Sequence, residues 1–107
     1  MDAERVVCNT PTPGKMPTRI LRWKYDLIRQ VILEIMAEHE DGLLFKDLAD
    51  AVAQRLPETQ RRKLGSIGWY TTTVKLDLEV RGELSRHHTL QGQKILPSEA
   101  ARQQRFF

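Results

Sequence analysis

The sequence predicts an α+β domain, with three helices as its core, a small antiparallel hairpin after them and an extended arm before them. Three stretches carry that expectation. From Arg22 to the Asp41-Gly42 pair, apolar residues return every three or four positions, as on a helix with one buried face. From Phe45 to Leu56 the same spacing returns, and Pro57 ends it. From Ile67 a third run reads as a helix closed by Gly82, and the chain leaves it at once as a strand, Leu84 to His88, followed by a second, Lys94 to Leu96.

A chain of 107 residues makes one domain with a modest core, too small for two lobes with a cleft between them, so an enzyme pocket is not expected. No glycine-rich phosphate loop, nucleophile motif or paired carboxylate setting stands in the sequence, and no cofactor is expected. The net charge of +3 and a pI near 9.3 permit a polyanionic partner without demanding one. The halves differ more. Met1 to Leu56 holds 8 Lys and Arg against 9 Asp and Glu, whereas Pro57 to Phe107 holds 9 against 5. One cysteine, Cys8, excludes an internal disulfide and suits a reducing cytoplasm. No apolar run has the length of a membrane span, and Met1 to Pro17 lacks a signal peptide's apolar core, so a soluble cytoplasmic protein is expected.

In chain order, residues 1–21 contain Pro11, Pro13, Gly14 and Pro17, which forbid a helix and leave an extended arm with Val6 and Val7 packed on the domain. Its cations, Arg5, Lys15 and Arg19, with Arg22 just beyond, suit an arm that follows a minor groove. The domain proper is expected over 22–97. Trp23, Leu27, Ile28, Val31, Ile32 and Ile35 form the inward stripe of the first helix, with Arg29, Glu34, Glu38 and His39 opposite. Leu33 and Met36 are surplus apolar residues that read either as core or as the contact of a homodimer. Leu43 to Phe45 suits a short edge strand. In the second helix Phe45, Leu48, Ala49, Val52, Ala53 and Leu56 face inward; Leu44 precedes it without a capping side chain, and Asp47 sits in its first turn. Pro57 to Ser66 is a long connection that can make a helical turn with Pro57 at its first position, presenting the basic triplet Arg61, Arg62 and Lys63.

On the third helix the 3.6-residue period predicts two buried stripes: Trp69, Thr73, Leu76 and Val80 form one, and Tyr70, Val74 and Leu78 the other, beside Asp77 and Arg81. The remaining wet face holds Thr71, Thr72, Lys75 and Glu79, of which the threonines and the lysine suit a phosphate or a base edge. Ile67 to Val74 is also rich in strand formers, so residue preference alone leaves strand open there. In the hairpin, Gly92 suits the turn. His87 and His88, with Cys8 and His39 far away in sequence, show no zinc-ligand spacing, and no metal is expected. Residues 98–107 read as a tail or short helix, Glu99 to Gln104 capped by Ser98, ending in Phe106 and Phe107.

The run Leu78, Glu79, Arg81, Gly82, Leu84 and Arg86 resembles the recognition-helix exit and first wing strand of a winged helix-turn-helix domain, with its pattern L-E-x-R-G-x-L-x-R. With Gly68-Trp69 opening the helix, Lys75 to Glu79 in its middle and a Pro-Gly-containing arm, the chain from about Val6 to Pro97 is similar to a small bacterial winged-helix family with no established activity. The resemblance implies that Ile67 to Gly82 is a helix and that Leu84 to Leu96 is the wing. It implies a DNA-binding, transcription-regulator-like module: Thr71, Thr72 and Lys75 approach the major groove of double-stranded DNA, while Arg61, Arg62, Lys63, Arg86 and Lys94 hold phosphates. The rival expectation is a protein-interaction module on the same scaffold, since the helix's wet face pairs one cation with one anion.

Overall fold

The computed structural model describes residues 4–98. Its described elements are β1 (Arg5–Cys8), β2 (Thr18–Leu21), α1 (Arg22–Glu38), β3 (Leu43–Leu44), α2 (Phe45–Arg55), α3 (Glu58–Leu64), α4 (Ile67–Val80), β4 (Leu84–Thr89) and β5 (Gly92–Pro97). The fold is α+β. Antiparallel β1 and β2 form one sheet, and a second, three-stranded antiparallel sheet has the order β3-β5-β4. The helix expected over Glu99 to Gln104, and Phe106 and Phe107, lie outside the described residues.

Helix α1 buries Tyr25, Ile28, Val31, Ile32, Ile35 and Met36, the three-and-four spacing of a core face. Met36 is buried in that core, and the partly buried Leu33 packs against it. Trp23, expected inside, is 44% exposed, because the buried stripe begins only at Tyr25. Helix α2 adds Leu48 and Val52, followed by Leu56, and its start at Leu44 has no side-chain cap. Pro57 is the N-cap residue of α3 rather than its first helical residue, and α3 buries Leu64.

Helix α4 lies against α1, α2, β1 and β4. Ser66 caps its start, accepting from the Trp69 N–H at 3.2 Å. At its end Gly82, at φ 81°, allows a Schellman turn: the Gly82 N–H reaches Glu79 O at 3.2 Å and the Glu83 N–H reaches Leu78 O at 2.9 Å. This turn aims the chain directly into β4.

The N-terminal arm is not a free extended segment. Val6 pairs with Ile20 and Cys8 with Thr18, and the side chains of Val6, Cys8 and Ile20 turn inward at period two. Val7, expected to pack, is 42% exposed on the opposite face of β1. The hairpin packs on α1 and α4. No described helix is long and apolar enough to cross a membrane.

Candidate nucleic-acid interface

Helix α4 carries three charged residues, and it buries all three side chains: Lys75 is 1% exposed, Asp77 0% and Glu79 7%. The two carboxylates face opposite flanks. Asp77 accepts from the Asn9 backbone N–H at 2.9 Å, the Tyr25 hydroxyl at 2.6 Å and Arg81 Nε at 2.6 Å. It thereby joins the N-terminal hairpin, α1 and the end of α4. Burial, and then the charge of Asp77, raises the Cys8 thiol from 9.0 to about 11. Burial, and then its hydrogen bond to Asp77, pushes the Tyr25 phenol well above its ordinary value. The Cys8 thiol is therefore protonated and packed as a small apolar group.

On the other flank Glu79 meets Lys75 Nζ at 2.5 Å and Arg86 Nε at 3.2 Å. Lys75 Nζ also donates to Gln93 Oε1 at 3.3 Å and stands 4.4 Å from the centre of the Phe45 ring. One buried ion cluster thus ties α4 to α2 and to both strands of the β4-β5 hairpin.

These contacts overturn the expected wet face. Lys75 is enclosed and paired, and Thr71 is 0% exposed, its hydroxyl without a hydrogen-bond partner among the described residues. As placed, neither side chain can touch a phosphate or base. Only Thr72, half-buried, stays accessible among the three residues expected in the groove. The outward stripe is the one expected to be buried: Trp69 is 48% exposed, Val80 46%, and Thr73 and Leu76 are half-buried. The apolar count of the two stripes gives no hint of this rotation. The lysine's ammonium stands over the Phe45 ring and is neutralised by Glu79, so a residue that reads as surface sits in the core.

The expected phosphate contacts fare differently. Arg61, Arg62 and Lys63 are all exposed on α3, immediately before α4, with Arg62 paired to Glu58 at 2.7 Å. Arg86 is half-buried and held by Glu79. Lys94 is half-buried on β5, opposite His87 on β4 and Leu44 on β3. Lys24 was not singled out by the sequence. Its Nζ donates to Leu64 O at 2.9 Å and the Tyr70 hydroxyl at 3.1 Å, stapling α1 to the start of α4, where Trp69 and Tyr70 stack edge to face at 4.9 Å.

The charges separate by segment. The basic ones are the N-terminal hairpin, α3 and the β4-β5 hairpin. Their described residues hold Arg5, Lys15, Arg19, Arg61, Arg62, Lys63, Arg86 and Lys94 against only Glu4 and Glu58. Residues 22–56, with α1 and α2, hold seven carboxylates against five cations. Halving the chain at Leu56 hides this pattern, because the basic N-terminal hairpin is then averaged with the acidic helices. Among the described residues no group of three His, Cys, Asp or Glu is placed to hold a metal ion.

No curated protein and no solved structure matches the chain. The model of one protein family, DUF6958, matches residues 5–95, nearly the whole of the described fold. The chain therefore belongs to DUF6958, a family of unknown function.

Proposed function

We propose that the protein is a non-catalytic winged helix-turn-helix module that binds double-stranded DNA, with α4 as the groove-facing helix and β4-β5 as the wing. The element order β3, α2, α3, α4, β4, β5, with β5 laid between β3 and β4, supports the winged-helix reading. The observation that carries the DNA reading is the charge separation: the N-terminal hairpin, α3 and the β4-β5 hairpin hold eight cations against two carboxylates, with Arg61, Arg62 and Lys63 exposed directly before α4. Basic segments of this kind meet phosphates. Lys75 has no part in this contact; it holds the wing to α4. A cytoplasmic setting belongs to the proposal, as it suits the single protonated thiol of Cys8.

The test is fluorescence anisotropy of a labelled random duplex at about 50 and 200 mM salt, for the wild type and for R61E/R62E/K63E, whose three positions are exposed. Micromolar affinity that collapses at the higher salt is expected for the wild type. The triple variant should bind at least about tenfold more weakly at low salt, with a flatter salt slope. Equal binding by the two proteins sinks this assignment of the phosphate contacts.

One observation favours a second reading, a protein-interaction module. The outward stripe of α4, with Trp69, Leu76 and Val80, is uncharged and partly apolar. Absence of duplex binding at about 50 mM salt, joined to self-association or capture of a partner lost in W69S/V80S, would favour that reading.

A further inference from the structure

We infer that the aromatic cluster where α1 and α4 begin is a binding site for single-stranded nucleic acid, with bases stacked on Trp23 and Trp69 and phosphates held by Arg61 and Lys63. This goes beyond the duplex reading above and does not require it.

The chain has two tryptophans, and neither is in the core: Trp23 is 44% exposed and Trp69 48%. One ammonium links them. Lys24 Nζ lies 5.5 Å from the centre of the Trp23 ring and 4.8 Å from that of Tyr70, and the Tyr70 ring meets Trp69 edge to face with 4.9 Å between centres. The same Nζ donates to the Tyr70 hydroxyl at 3.1 Å and to Leu64 O at 2.9 Å, which fastens the end of α3 to the cluster. Gly65 lies against Tyr70 as well: a Cβ there would stand 3.9 Å from the ring. Arg61, Arg62 and Lys63 form the turn immediately before the residue so fastened.

Charge is uneven at this spot. The carboxylates of the same segments, Asp26 and Glu58, are held by Arg22 at 3.8 Å and Arg62 at 2.7 Å. Arg61 and Lys63 are exposed and have no carboxylate partner among the described residues, and Lys24 has none either. The next acids along α1, Glu34 and Glu38, follow Trp23 by three turns or more, roughly 16 Å along the helix axis. Exposed rings interleaved with unpaired cations hold an unpaired strand, because every base offers a flat face to a ring and every phosphate a charge to Arg or Lys. A duplex covers those faces with neighbouring base pairs, so rings on a surface suit a single strand. An apolar protein partner would leave Arg61 and Lys63 unanswered.

The test titrates the protein with an oligothymidine of about 12 nucleotides, the matching oligouridine, the same strand made wholly abasic, a random duplex and polyglutamate. Anisotropy of the labelled strand gives affinity. Intrinsic fluorescence gives stacking, since both tryptophans stand in the cluster. The thymidine or the uridine strand should bind with saturable quenching, and at least about tenfold tighter than the abasic strand, which keeps every phosphate and lacks the rings' partners. Whichever of the two binds tighter assigns DNA or RNA as the source. W23A and W69A should each weaken binding about tenfold, while W69F, which keeps a ring, should retain most of it.

Equal affinity for abasic and base-bearing strands overturns this inference, as does unchanged strand affinity in W23A/W69A with its far-UV circular dichroism intact. Polyglutamate that quenches as strongly as the strands also overturns it, because an acidic protein segment would then be the partner. A duplex bound without quenching, joined to no binding of single strands, overturns it and leaves the duplex reading standing. No binding to strand or duplex at about 50 mM salt overturns both.

Discussion

Replacing Lys75 by methionine tests the placement of α4 directly. Methionine keeps an unbranched side chain but removes the ammonium, leaving Glu79, 7% exposed, with Arg86 as its remaining cation. Breaking a buried pair by removing one partner costs about 3–5 kcal/mol. Arg86 is 32% exposed and still reaches Glu79, so the low end, about 3 kcal/mol, applies. For a domain of this size each kcal/mol shifts Tm by about 4–8 °C at the smaller end of the range, so Lys75→Met should melt at least about 10 °C lower. The companion K75M/E79L removes both charges and fills the space, so it should recover most of the loss, about 2 kcal/mol relative to Lys75→Met. Urea unfolding followed by far-UV circular dichroism reads all three proteins. An exposed pair on a wet face would contribute at most about 1 kcal/mol. A single Lys75→Met variant within about 0.5 kcal/mol of wild type would therefore refute the buried cluster, and with it the assignment of Trp69, Leu76 and Val80 to the outward face.

Two further outcomes follow from other buried groups. Thr71→Val replaces an unpartnered buried hydroxyl by a methyl of the same shape, so it should raise stability by about 1 kcal/mol in urea unfolding, whereas a surface threonine would give no gain. Cys8 holds its proton more tightly folded than unfolded, so its contribution is complete below pH 9 and is lost as pH rises toward 11. Tyr25, also raised, acts in the same sense above pH 10. The urea midpoint should fall over that window, and Cys8→Ala should flatten the fall by on the order of 2 kcal/mol; parallel curves for the two proteins would show that the thiol is not desolvated.

The elements that sequence made legible are those whose signals are local. The stripe of α1 repeats over seventeen residues, Gly82 marks a turn that only a left-handed residue completes cheaply, and the alternation after it can only be a strand. The N-terminal hairpin was hidden because its partners lie across a loop of nine residues that reads as arm, although Val6, Cys8 and Ile20 already alternate with exposed neighbours. The rotation of α4 was hidden for a different reason. Hydropathy assigns Lys75, Asp77 and Glu79 by their charge, but each finds its counter-group on another element, Arg86 on β4, Gln93 on β5, Tyr25 on α1 and Asn9 after β1. Pairings across 7 to 68 positions leave no periodic trace. Of the eight candidate site residues, Arg61, Arg62 and Lys63 stand exposed as expected, because a short basic helix with one buried leucine has nowhere else to put them.

Asp77 and Glu79, two residues apart on α4, look to opposite sides, and each seizes a different β-hairpin. A turn of the helix about its axis would therefore loosen both hairpins together, and neither hairpin can swing while its carboxylate stays in place. The two hairpins around α4 are thus held in place by contacts to one helix. On the binding reading proposed above, a partner would meet hairpins already aligned, with little conformational entropy left to lose, and a binding measurement should show rigid docking rather than the ordering of a loose N-terminal arm.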